Sequence, residues 1–133
     1  MAFKRKTQFF VCFVVGKWND LTCNSFYELL ARRLRFPTTK RRLTIFSDGN
    51  RQNFTGIANN FPQCSYNHAI RKKIRMNQEI VGVVSKVITG NVNKADIGIT
   101  EVDGFCSKLR ERISCFTRKA RGFAKRKLCI EQR

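Results

Sequence analysis

The stretch Leu43-Thr44-Ile45-Phe46-Ser47-Asp48-Gly49-Asn50 decides how the chain is read. Its first five residues include β-branched and aromatic side chains, and Asp-Gly-Asn follows at once as a turn signal. This predicts a short strand over 43–47 with a carboxylate, Asp48, directly at its C-terminal end. Open α/β sheets place ligands at that end of their strands. Gly49 permits close approach of backbone or phosphate. Taken alone, an Asp-Gly pair is more often only a turn.

Working outward, the run Gln8–Val15 is unbroken apolar from Phe9 and predicts a strand buried on both faces. Residues 1–7 are basic and polar and carry no element signal. Phe26, Leu29, Leu30 and Leu34 recur at helical spacing, and Ser25-x-x-Glu28 has the spacing of a capping box, so a helix over about 22–35 is expected, stopped by Pro37. Downstream of Asn50, residues 51–60 suit a short helix with Phe54 and Ile57 inward, broken at Pro62. Apolar residues from Ile70 to Ile88 predict two strands about Met76-Asn77-Gln78, and 91–98 reads as loop. From residue 101 to 121 a helix is expected, with Phe105, Leu109, Ile113, Phe116 and Ala120 on one stripe. Thr100 with Asp103 has capping-box spacing at its start. The order strand, helix, strand, helix, strands, helix is mixed α/β in one domain, 1–133.

Composition narrows the function. The chain has 133 residues, 27 Lys plus Arg and 9 Asp plus Glu, a net charge of +18. Such a charge points to a polyanion, since Lys and Arg on phosphates release counterions. No apolar run is long enough for a membrane span, and no cleavage site follows Val15, so a cytoplasmic, nucleoid-associated protein is expected. The six cysteines form no Cys-x-x-Cys pair and are read as reduced thiols, not as a zinc site or a disulfide framework. With His68 the only histidine, chemistry built on several histidines is excluded.

Asp48 at a strand end and Asp103 at a helix start are the carboxylates that a metal-assisted phosphoryl-transfer site would use, with Mg²⁺ held by hard oxygens. The plainer readings are a turn for Asp48 and a helix cap for Asp103. Arg110 follows Asp103 by seven residues and falls on nearly the same helix face. Arg121 lies close to that face. Lys108, Arg112 and Lys119 would flank it, and Arg118 and Lys125 continue the basic run; the ordinary fate of such residues is a solvated face. Trp18, Phe26 and Tyr27 could stack on bases, although core packing is the commoner role.

At these residues the chain resembles a known family. Leu43–Asn50 resembles the second-aspartate strand of insertion-sequence transposases of the DDE type. Val102-Asp103-Gly104-Phe105-Cys106-Ser107-Lys108-Leu109-Arg110 is similar to that family's third-acid motif. Ile113-Ser114, Arg118-Lys119-Ala120 and Phe123-Ala124-Lys125 continue it, and Gly90-Asn91 with Ala95-Asp96-Ile97 resembles the linker before it. The resemblance is to the insertion-sequence-one type with its archaeal relatives, and it spans most of 9–127. It implies a ribonuclease H-like mixed sheet with flanking helices, and cleavage and strand transfer of DNA with Mg²⁺ or Mn²⁺ held by three acids. It also implies transposon ends and target DNA as partners.

Asp48 takes the second position and Asp103 the third; Glu101 is the alternative third acid. The family's first acid belongs on a strand before 8–15, and residues 1–7 contain no acid. Asp20 lies after that strand. The resemblance therefore implies a domain truncated at its amino terminus, reduced or lost activity, and a homodimer or an in-trans partner that supplies the missing part. Asp103 stands where the family usually has Glu, about 1.5 Å shorter in reach; such a misplacement costs on the order of 10²-fold. The alternative is a non-enzymatic basic nucleic-acid-binding protein.

Overall fold

The computed structural model describes residues 1–112. It is mixed α/β. Strands β1 (Ala2–Lys4) and β2 (Phe9–Cys12) pair antiparallel as a separate ribbon, and helix α1 (Asp20–Arg33) follows. Strand β3 (Leu43–Ser47), helix α2 (Arg51–Asn60), strands β4 (Tyr66–Met76) and β5 (Glu79–Thr89) and helix α3 (Thr100–Arg112) complete the described chain. The main sheet has the order β3-β4-β5. In it β3 runs parallel to β4, Leu43 beside Tyr66 through Ser47 beside Ile70, and β4 runs antiparallel to β5.

The β3–α2–β4 unit forms where local signals agree. Asn50 caps α2, its side-chain oxygen accepting from the Gln52 N–H at 3.3 Å. Helix α2 ends at Asn60, two residues before Pro62. Gly49 has φ +79°, a left-handed conformation that favours glycine, and an added Cβ would stand 3.2 Å from Ile70 Cδ1. The chain therefore turns sharply after Asp48 and passes close over β4.

The core lies among α1, α2 and the bases of β3 and β4. Cys12, Tyr27, Leu30, Ile57, Phe61 and Tyr66 form its buried cluster. Burying one aliphatic side chain of this kind is worth about 1.5–3 kcal/mol. Helices α1 and α2 meet at Gly56, where a Cβ would come within 2.4 Å of the Tyr27 ring. A larger residue there would force the two helices apart.

Several expectations are corrected. The strand at 8–15 is shorter, Phe9–Cys12, and is not buried on both faces: among the described residues it pairs with β1 alone and leaves Phe9 65 % exposed. Residues 2–4 are a strand rather than unstructured chain. Helix α1 starts at Asp20, two residues before the expected 22 and five before Ser25. Asn19 is its cap, accepting from Thr22 N–H at 2.9 Å, while the Ser25 hydroxyl bonds back to the Leu21 carbonyl. Its buried face is centred on Tyr27 and Leu30, and it ends at Arg33 rather than at about 35. The Asp103 carboxylate, expected as a cap for α3, accepts from Lys73 Nζ on β4.

Other elements fall where expected. Strand β3 and helix α2 match 43–47 and 51–60, and Ile57 is fully inward with Phe54 edge-on to His68. The two strands about Met76-Asn77-Gln78 form a hairpin whose turn residues Asn77 and Gln78 both have positive φ, the geometry of a tight two-residue hairpin turn. Phe105 packs its ring against Phe3 and Phe10, joining α3 to the β1–β2 ribbon. Ile113, Phe116 and Ala120 lie outside the described residues. Among the described residues Cys12, Cys23, Cys64 and Cys106 are free thiols. No helix among them is long and apolar enough to cross a membrane.

Candidate functional site

Asp48 stands at the C-terminal end of β3, as its sequence context requires. Its Oδ1 accepts from the Asn50 N–H at 3.1 Å and from the Asn53 side-chain amide at 2.9 Å. The Oδ1 of Asn53 in turn accepts from the Tyr27 hydroxyl at 3.0 Å and the Cys23 thiol at 3.7 Å. Burial pushes the Tyr27 and Cys23 groups up in pKa, Tyr27 most strongly, so both remain protonated donors around neutral pH. A relay from the buried tyrosine through Asn53 thus holds the Asp48 carboxylate in one orientation. The sequence signal for Asn53 was absent, since its partner Tyr27 lies on a different helix.

Asp103 reaches the same place from α3. Asp48 and Asp103 both line one cleft of 460 Å³, together with Lys17, Asn53 and Arg110. Helix α3 brings Asp103 and Arg110 to the cleft from the same face, as their seven-residue spacing anticipates. Lys73 Nζ from β4 lies 2.6 Å from Asp103 Oδ2, a pair whose partners are both partly exposed. Coulombic attraction in such a setting is modest, on the order of 0–1 kcal/mol. Lys73 therefore balances the charge of Asp103 without locking it.

Glu101, the alternative third acid, points elsewhere. It pairs with Arg5 Nε at 3.1 Å, and Arg5 also donates to the Asp96 carbonyl. Glu101 lines a second, neighbouring cavity of 250 Å³ and is not among the residues lining the cleft that holds Asp48 and Asp103.

The aromatic candidates separate. Tyr27 is core, Phe26 is half-buried, and Trp18 is 75 % exposed on the lining of the cleft. The expectation that Trp18 packs in the core is corrected: the chain between Gly16 and Asn19 loops over the cleft and leaves the indole in solvent. Lys108 and Arg112 are exposed on α3 and do not line the cleft. Arg118, Lys119, Arg121 and Lys125 lie outside the described residues.

One polar pair has no counterpart in the sequence reading, which gave His68 no role. His68 is buried on β4, and its Nε2 is hydrogen-bonded to Ser47 Oγ at 2.9 Å, under the edge of Phe54. Burial lowers its pKa, so it is neutral. The pair ties the end of β3, next to Asp48, to β4. Among the described residues no group of three or more His, Cys, Asp or Glu is arranged to hold a metal ion. Compared with family models, curated proteins and solved structures, the chain matches none.

Proposed function

We propose that the chain carries the catalytic domain of a DDE-type DNA transposase, ribonuclease H-like in fold. Its parent activity is cleavage of transposon ends and strand transfer into target DNA. The observation that carries this reading is the shared cleft: Asp48 at a strand end and Asp103, 55 residues further on, line one cavity with Arg110 and Lys17. The exposed Trp18 beside them offers a face on which a base can stack.

The donor set fits a hard divalent cation. Asp48 and Asp103 would hold Mg²⁺ or Mn²⁺, with water and phosphate oxygens as the remaining ligands. Bound there, such an ion would stabilise charge on a phosphoryl oxygen. Arg110 and Lys17 would meet the DNA backbone, and Lys108, Arg112 and the basic residues Arg118, Lys119, Arg121 and Lys125 would extend that contact. Cytoplasmic, nucleoid-associated localisation goes with this reading.

Manganese binding followed by electron paramagnetic resonance tests the site. Wild-type chain is expected to bind Mn²⁺, and Asp48→Asn and Asp103→Asn each to lose most of it. Equal binding by all three would overturn the assignment.

A second reading, a non-enzymatic nucleic-acid-binding protein, draws on the Lys73–Asp103 ion pair and on the fact that among the described residues no third acid joins the two. It expects Asp48→Ala to leave DNA affinity unchanged or stronger, with no dependence on metal.

A further inference from the structure

The β4–β5 hairpin carries a feature that the cleft does not use. Strand β3 accompanies β4 only as far as Ile70. Among the described residues, β4 and β5 beyond that point form a two-stranded ribbon with two open edges. The β4 edge bears Arg71, Lys72, Lys73 and Arg75, four cations among which Ile74 and Met76 are also exposed. The β5 edge bears Ile80, Val81, Val83 and Val84, all exposed, and its only charges are Glu79 and Lys86. Strand edges that must stay unpaired are guarded by charge, lysine above all. One edge of this ribbon is guarded in that way and the other is not. A duplex nucleic acid would seek the cationic edge, which leaves the aliphatic one to a β-strand.

We propose that β5 pairs antiparallel, edge to edge, with β5 of a second copy of this chain. The charges select that occupant. The β4–β5 register shifts between Ile74 and Arg75, whose partners are Gly82 and Ile80, so Val81 is the extra residue of a bulge. Because of the bulge, Glu79 and Lys86 lie on one face of the ribbon: they stand opposite Met76 and Ile70, six residues apart on β4. An isologous pair with Val83 on its two-fold axis sets Gly82 opposite Val84 of the second copy. It then sets Ser85 opposite the Ile80–Val81 bulge, and Lys86 opposite Glu79. Each contact occurs twice, as two-fold symmetry requires. The register satisfies the open backbone edge of both copies, sets their aliphatic residues side by side and forms two ion pairs at its ends. The guarded β4 edges remain outermost, where they keep the dimer from growing into a longer sheet.

Sedimentation of the full chain, freed of nucleic acid by nuclease and checked by its absorbance ratio, tests this at physiological salt. The wild type is expected to be a dimer that dissociates on dilution. Val83→Lys places like charges on the axis and is expected to give monomer. Glu79→Lys and Lys86→Glu are each expected to weaken the dimer by about tenfold or more, since each turns two attractive cross-strand pairs into repulsive ones. The double variant restores opposite charges and is expected to return to near wild-type affinity.

Wild-type chain that sediments as monomer throughout, its edge unpaired or covered by another part of the same chain, overturns the proposal. So does a dimer that vanishes with the nucleic acid, a dimer untouched by Val83→Lys, or a double variant that stays weak. Should Val83→Lys fail to fold by circular dichroism, the charge-swap set decides alone.

Discussion

Between Tyr66 and Ala69, strand β4 is packed beneath α2, with Tyr66, His68 and Ala69 all buried; between Lys72 and Met76 the same strand stands in solvent on both faces. The base is held by side chains: Phe61 against Tyr66, Phe54 against His68, Ser47 hydrogen-bonded to His68. The outer half is held by its ladder to β5. The difference separates two tasks in one strand. Rigid packing at the base fixes the end of β3, and with it the direction of Asp48. The outer ribbon has no such site to hold. From it Lys73 reaches Asp103, and among the described residues its aliphatic edge is unpaired.

The contrast can be broken most severely at the base. Ile57 is 1 % exposed and sits at the centre of the cluster between the helices. Ile57→Ala is expected to destabilise the fold by about 2–5 kcal/mol, the loss of transfer energy plus the cavity left behind. Denaturant titration measures it. A loss under half a unit on that scale would mean that the base is no better packed than the tip.

A pH titration of stability sharpens the contrast, because the only histidine lies in the base. The folded pKa of His68 is lowered by burial, below its ordinary value of 6.5. The unfolded chain therefore binds the proton first as pH falls. Stability from this group is constant above about pH 6.5 and declines as pH drops below it, until the folded-state pKa is passed. The decline should disappear in His68→Gln, however stable that variant is. A pH slope in this window that survives the substitution would place its origin elsewhere.

The smallest effect belongs to the tip. Met76 is 65 % exposed beside the hairpin turn, and Met76→Ala is expected to change stability by less than about 0.5 kcal/mol. A larger loss, measured under the same conditions as Ile57→Ala, would show that the ribbon is packed against something in solution.

Legibility in the sequence followed the same division. Strand β3, the turn at Asp48-Gly49 and helix α2 were readable to the residue, because a β-rich run, a glycine with positive φ, an Asn cap and a proline each act within a few positions. The start of α1, expected near 22 from the Ser25-x-x-Glu28 spacing, falls at Asp20. The structure uses Asn19 as the cap and turns Ser25 back onto the Leu21 carbonyl. The Phe9 strand was misread as two-sided because an apolar run says nothing about how many neighbours it has. In the candidate site, Asp48 was legible from its strand end and Arg110 from its helical spacing with Asp103. The Tyr27–Asn53–Asp48 relay, the Ser47–His68 pair and the Lys73–Asp103 contact were not. Apart from the local Asn53–Asp48 link, their partners are separated by 21 to 30 residues and belong to different elements.

What the sequence determined by itself is therefore local: the charge of +18 that favours a polyanion, the mixed α/β order, and a carboxylate at the end of a short strand. Propensity, capping and turn chemistry act over a few residues and need no tertiary partner. Tertiary structure alone decided that Asp103, rather than Glu101, joins Asp48 in one cleft, and that a strand continuous in sequence is half core and half open ribbon. Those outcomes depend on how far β3 runs beside β4 and where α3 lies against the sheet, and packing between distant elements sets both.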